Sequence, residues 1–165
     1  MKIRHLALAT ACVLAGPAAQ ADSKNPDAKF VEHAAAGGQM EVDLGQLASQ
    51  KAQRPEVKAF GERMVKDHQE ANAKLAALAS QKGIDVPKAV GMLDQHKKEK
   101  LAKAKAEDFD ADYVKAMLKD HEKDMKDFEK EAQSGEDAEV RSFAADTLPT
   151  LRSHLEAIKQ LANEK

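Results

Sequence analysis

The sequence predicts an all-α fold, a bundle of four long helices with a shorter helix in the longest connection. Three observations carry this. Aromatics make up 4% of the 165 residues, β-branched runs are missing, and the good helix formers Ala, Leu, Lys, Glu and Gln dominate. The breakers Pro26, Pro55, Gly83, Pro87 and Gly135 fall where helix ends are expected. Between them, apolar residues recur every three to four positions, as one buried helix face requires.

The first 21 residues read as a signal peptide rather than as part of the bundle. Lys2, Arg4 and His5 give a positive start, Leu6 to Ala15 an apolar stretch, and Ala19-Gln20-Ala21 the small residues a signal peptidase reads. The expected location is the periplasm. The stretch is too short to remain as a membrane span, and no later segment reaches the needed length. A lipid-modified Cys12 fits less well, because no Leu sits three residues before it and the apolar run ahead of it is short. Cys12 is the only cysteine. Residues 22–165, taken as one domain, therefore have no disulfide, thiolate metal site or cysteine nucleophile. The formal charge is −2, with both signs mixed along the chain. That excludes the clustered basic face of a nucleic-acid binder.

Helix one is expected over 27–53, with Phe30, Ala34, Gly37, Glu41, Leu44 and Ala48 facing inward. Helix two, over 55–82, opens on Pro55, a favourable first-turn residue, and turns Val57, Phe60, Met64, His68, Ala71, Leu75 and Leu78 inward. A connector helix is expected over 89–105. Its thin stripe of Val90, Leu93, Leu101 and Ala104 on a Lys-rich surface marks it as peripheral, with His96 facing solvent. Helix three, over 109–133, carries Tyr113, Met117, His121, Met125, Phe128 and Ala132. Helix four, over 137–163, carries Val140, Ala144, Leu151, His154, Ile158 and Leu161, with Pro149 inside it as a source of a kink. Short joins make helices one and two, and three and four, antiparallel pairs. The long join between two and three can cross the bundle end to end, which is the connectivity of ferritin-like folds.

Polar residues on core stripes are informative, because burying them costs free energy unless they find partners. Each long helix carries one: Glu41, His68, His121 and His154. Positions 41 and 68 lie equally far from the Arg54-Pro55 break, and 121 and 154 equally far from the turn near Asp137, so each pair is level. Heights across the long join are not fixed this way. One carboxylate and three imidazoles suit zinc, iron or manganese, and the accessory thioethers Met64 and Met117, one turn from His68 and His121, favour copper. The alternative is a metal-free network in which the four satisfy one another. Asp67 and Asp120, each next to a core histidine, point about 100° away from it and flank the interior. His33 falls off the stripe. Gly37, Gly38, Gly45 and Gly61 are expected to permit close helix approach.

The segments Phe30–Glu41 with Leu44-Gly45-Gln46-Leu47-Ala48, Val57-Lys58-Ala59-Phe60 leading to Met64 and Asp67-His68, Phe109-Asp110 with Tyr113, Met117 and His121, and Leu148-Pro149 with Leu151 and His154 resemble a bacterial family. That family is domain of unknown function 4142, grouped with ferritin-like folds. The resemblance spans nearly all of the chain after the signal segment and implies the fold and export, without an established activity. Members carry an outer-membrane label, but a membrane barrel would need alternating strands, which this sequence lacks. Di-iron ferritin-like proteins place a Glu on two helices and Glu-x-x-His on the other two. Here Val65 and Leu151 stand where the paired Glu would be, and His121 stands where a single Glu would be. A single metal ion, or none, fits that departure better than a di-iron pair.

Three functions follow as expectations: a metal-binding bundle, a non-catalytic envelope interaction or stress protein with a metal-free polar core, and, last, a redox enzyme needing an open metal position. No Ser-His-Asp arrangement or Gly-rich phosphate loop offers another route to catalysis.

Overall fold

The computed structural model describes residues 26–86 and 92–163. The expected signal peptide with Cys12, together with Pro87, Ala89 and Val90 of the expected connector, lies outside them. The described residues form five helices and no strand: α1 (Pro26–Lys51), α2 (Pro55–Lys82), α3 (Met92–Lys103), α4 (Ala106–Ser134) and α5 (Ala138–Asn163). The expected helix two matches α2, and the other long helices match α1, α4 and α5 to within about a turn. The fourth helix in chain order starts at Ala106, three residues before the expected Phe109. Glu107 and Asp108 favour a helix N-terminus, and the amides of Asp108 and Phe109 already bond to the Lys105 carbonyl.

α1 packs along α2 and α4 along α5, and the two hairpins meet through α1 on α4 and α2 on α5. Lys82 at the end of α2 pairs with Asp137 at 2.7 Å, at the start of α5. The Arg54 guanidinium, just before α2, donates to the Leu161 carbonyl near the end of α5 at 3.2 Å. α2 and α4 therefore run one way and α1 and α5 the other. α2 stops at the end of the bundle opposite to where α4 begins, and α3 lies in the long connection between them. α3 rests on α1 and α4. Leu101 is its buried anchor, Lys97 pairs with Asp120 at 2.8 Å and Lys98 with Asp43 at 2.6 Å, and Lys51 caps the C-terminal end of the helix by donating to the Ala102 and Ala104 carbonyls. His96 is exposed, as expected.

The inward stripes hold, with additions. α1 buries Val31, Met40 and Val42 besides the expected residues, while Ala34, Ala71, Leu78 and Ala132 are only half-buried. Pro149 is exposed, and so is Ala145, whose carbonyl loses its amide partner. That carbonyl can turn to water, so α5 runs on through the proline. Gly83 sits at φ 65°, ψ 26°, the left-handed region glycine favours, and ends α2 with the Ile84 amide bonded to the Ala79 carbonyl at 2.9 Å.

Two buried carboxylates tie the hairpins together. Asp27, in the first turn of α1, accepts the amides of Glu136 (3.0 Å) and Asp137 (2.5 Å) in the α4–α5 turn. Asp110, near the start of α4, accepts those of Gln53 (3.1 Å) and Arg54 (2.7 Å) in the α1–α2 turn. The sequence step from Asp27 to Asp110 equals that from Gln53 to Glu136, and the same step takes Glu41 to Asp124.

Of the four core-helix glycines, two serve the expected close approach. A Cβ on Gly45 would stand 2.7 Å from the Gly61 carbonyl oxygen, and one on Gly61 would stand 2.7 Å from the Ala48 Cβ. Gly45→Ala is therefore expected to lose about 1–2 kcal/mol in urea unfolding, because backbone crowding outweighs the roughly 1 kcal/mol that Ala gains in a helix. Gly38 meets Asn72. Gly37 does not fit the expectation, since a Cβ there would meet nothing within 4 Å.

Glu131 is buried beneath the α4–α5 turn beside Asp27. Burial, and then the Asp27 carboxylate with which it shares a hydrogen bond, push its carboxyl up to about 7, with Lys130 and Arg141 opposing weakly. A carboxyl raised on folding stabilises the fold while protonated. That contribution is complete below its unfolded value near 4.5 and disappears as pH rises through 7. Glu131→Gln is thus expected to leave Tm nearly unchanged at pH 4.5 and to raise it at pH 8. Equal shifts at both pH values would exclude this role.

Candidate metal centre

The four polar core residues come together at one level, one from each long helix. Glu41, His68, His121 and His154 are all buried, His121 and His154 completely. The imidazole ring centres stand 5.3 Å (His68–His154), 5.4 Å (His121–His154) and 5.9 Å (His68–His121) apart. Each ring offers a nitrogen within 4.8 Å of the others. Phe60 closes one side of the group, its ring 6.3 Å from His154 and 6.4 Å from His121.

One nitrogen of each ring faces outward to a holding group. His68 Nδ1 lies 3.1 Å from Glu41 Oε2. His121 Nδ1 lies 2.9 Å from the Met117 carbonyl oxygen, one turn back, and 3.4 Å from Glu41 Oε1. A carbonyl only accepts, so His121 carries its proton on Nδ1. His154 Nε2 lies 2.8 Å from Asp67 Oδ2, and Asp67 in turn takes the Arg63 guanidinium at 3.3 Å. The remaining nitrogens, His68 Nε2, His121 Nε2 and His154 Nδ1, are buried and have no hydrogen-bond partner among the described residues. Buried polar atoms are normally paired, and each exception calls for an explanation.

Burial keeps the three rings neutral. It lowers His68 to about 3 and His121 to about 4, with the neighbouring histidines adding to the effect, and it lowers His154 against the pull of Asp67. At Asp67, burial raises the carboxyl, but the His154 and Arg63 contacts outweigh it and hold the group low. Glu41 is raised well above the usual range, by burial first and then by Asp124 and Asp120. Asp124, raised to about 6 by burial, shares a hydrogen bond with Glu41 that two carboxyls can make only through a proton.

Sequence reasoning named the four centre residues but not Asp124, nor the bond from Asp67 to His154. Asp124 was detectable as the third residue after His121, on the same helix face. Glu41 stands on the Nδ1 side of His68 and His121, away from their partnerless Nε2 atoms. Met64 and Met117 are fully buried one turn from His68 and His121, and Asp120 is taken up by Lys97. His33 is exposed.

The family model described as "Domain of unknown function (DUF4142)" matches residues 13–161. The chain belongs to the DUF4142 family. Comparison with curated proteins gives no significant match. Among solved structures, the DUF4142 chain is similar to a DUF305 fragment from Deinococcus radiodurans, with TM-score 0.72 and 13% identity over 82% of this chain and 94% of that one. It is also similar to CopM in its Cu(I)-bound form, with TM-score 0.67 and 22% identity over 81% and 93%, and in its Cu(II)-bound form, with TM-score 0.66 and 22% identity over 82% and 96%. At these identities the likeness concerns the fold. No helix among the described residues of the DUF4142 chain is long and apolar enough to cross a membrane.

Proposed function

We propose that this DUF4142 protein is an exported, ferritin-like bundle that binds one transition-metal ion through His68 Nε2, His121 Nε2 and His154 Nδ1. The observation carrying the reading is the set of three buried, partnerless ring nitrogens, one per histidine, on rings that approach within 4.8 Å. Zinc–nitrogen bonds are about 2.0–2.1 Å long, so three ligand nitrogens stand at most about 4.2 Å apart. The histidine nitrogens that lie within 4.8 Å of one another stand near that limit.

The holding groups support the reading. A metal-binding histidine gives its other nitrogen to a carboxylate or carbonyl, which fixes the ring and its tautomer. Glu41, the Met117 carbonyl and Asp67 occupy those positions. Glu41 thus acts from behind the rings, which departs from the four-ligand set expected from sequence. Three neutral imidazoles accept zinc or copper, and Met64 and Met117 lie close enough in the sequence to favour Cu(I). CopM, similar in fold, is known in Cu(I)- and Cu(II)-bound forms, so copper is tested beside zinc. The positive start at Lys2 and Arg4 with Ala19-Gln20-Ala21 supports export, and the long connection carrying α3 supports the ferritin-like assignment.

The test is metal analysis of protein purified without a His tag, followed by melting curves with added zinc or copper. One equivalent is expected. Saturation at a hundred times Kd should add about 2.7 kcal/mol, which raises Tm by roughly 5–11 °C. Less than about a tenth of an equivalent with no Tm shift would reject the reading, since a ligand of the native state must stabilise it.

A further inference from the structure

The three histidines are sealed on most sides, so a metal ion needs a way in. α3 covers the α1–α4 seam beside Asp43 and Asp120, through its pairs to Lys98 and Lys97. Towards the other end of the bundle the same seam holds a cavity of about 280 Å³, lined by Asp27, Asp124, Asp127 and Glu131 and also by Lys29, Lys123 and Lys130, with Lys123 paired to Asp127. A second, smaller cavity of about 30 Å³ continues it inward, and the two share Ala34, Asp124 and Phe128. The inner cavity is bounded by Glu41 and His68, and His68 is over nine-tenths buried with a partnerless Nε2. Ala34, Gly37 and Gly38 also line it, and at Gly37 a side chain would find open space.

We propose that Asp124 and Glu41 form a transient outer cation site on a path along which a transition-metal ion passes from the α1–α4 seam to His68 and into the histidine centre. This rests on the metal-binding reading above. The geometry supplies oxygen donors in series: Asp124 where the two cavities meet, Glu41 on the inner one, and then the imidazole. A cation leaving water meets an oxygen or nitrogen donor at each step, which offsets the cost of desolvating it. The opposite α2–α5 face has a cavity too, but there Arg63 holds Asp67 and Lys74 holds Glu70, so those two carboxylates are already taken.

A residue on the path affects the rates of binding and release alike, whereas a ligand or positioning residue changes the equilibrium. Gly37→Leu fills the open space without meeting backbone. It should slow both Zn(II) uptake and Zn(II) release to a chelator by at least roughly tenfold, with Kd within about twofold of wild type. Asp124→Asn removes the charge at the junction and should slow uptake by a similar factor. Asp146→Asn, on the opposite cavity, should leave both rates alone. Wild-type uptake rates in Gly37→Leu and Asp124→Asn, alongside one bound zinc, would overturn the path and leave the histidine centre standing. A Gly37→Leu protein in which release alone changes, so that Kd shifts while uptake stays at the wild-type rate, would also overturn it. Failure of wild type itself to bind zinc or copper would remove the centre, and the path with it.

Discussion

His121→Leu should make the metal-free protein more stable while abolishing its response to metal. His121 is wholly buried, its Nδ1 bonds only to a carbonyl within its own helix apart from the longer approach to Glu41, and its Nε2 has no partner. Leucine removes an unsatisfied buried nitrogen, a group that costs about 1–3 kcal/mol, and keeps an apolar side chain of similar bulk in place. The expected gain in the apo state is about 1–2 kcal/mol by urea unfolding. Metal affinity should fall by more than about a hundredfold, beyond the 10–100-fold that changes at groups holding the ligands bring. A metal-free polar network predicts the opposite sign for stability, because His121 would then be a satisfied member whose loss strands Glu41. Apo destabilisation of 2 kcal/mol or more, with zinc and copper still raising Tm as in wild type, would therefore favour the network over the metal centre.

Asp110→Ala should be strongly destabilising although it lies away from the histidines. Its carboxylate receives the Gln53 and Arg54 amides at the α1–α2 turn. Hydrogen bonds to a charged group contribute about 1.5–3 kcal/mol each, and the alanine variant leaves both amides without their acceptor. A loss of about 3–4 kcal/mol is expected, or roughly 6–16 °C in Tm for a domain of this size. Asp110→Asn should recover part of it, since one carbonyl oxygen remains to accept. A loss below about 1 kcal/mol for the alanine variant would show that water replaces the carboxylate at this turn.

Much of this was legible in the sequence, for identifiable reasons. Helix periodicity and breakers located four long helices, because Ala-rich amphipathic segments have few other ways to bury their stripes. Glu41, His68, His121 and His154 stood out because a polar group on an apolar stripe must be accounted for. Equal distances from each turn levelled them in pairs. The relative height of the two pairs depends on how α1 and α4 slide past one another, and no local pattern encodes that. The same gap hid the cross-hairpin bonds of Asp27, Asp110 and Asp124, whose partners lie far along the chain. Asp67 looked like a flanking residue and does flank the interior, yet its carboxylate reaches around to His154. Gly37 shared its composition with Gly38, Gly45 and Gly61, and only packing separated open space from close contact.

Because the oxygens that satisfy each bend come from the other half of the molecule, neither half is complete when detached. A peptide covering α1 and α2 alone would leave the Gln53 and Arg54 amides to solvent, and one covering α4 and α5 would do the same at Glu136 and Asp137. A second molecule, however, offers the same two acceptors in the same places. Trading halves between two chains would keep every one of these bonds, so an intertwined dimer would lose none of the contacts that satisfy the two turns.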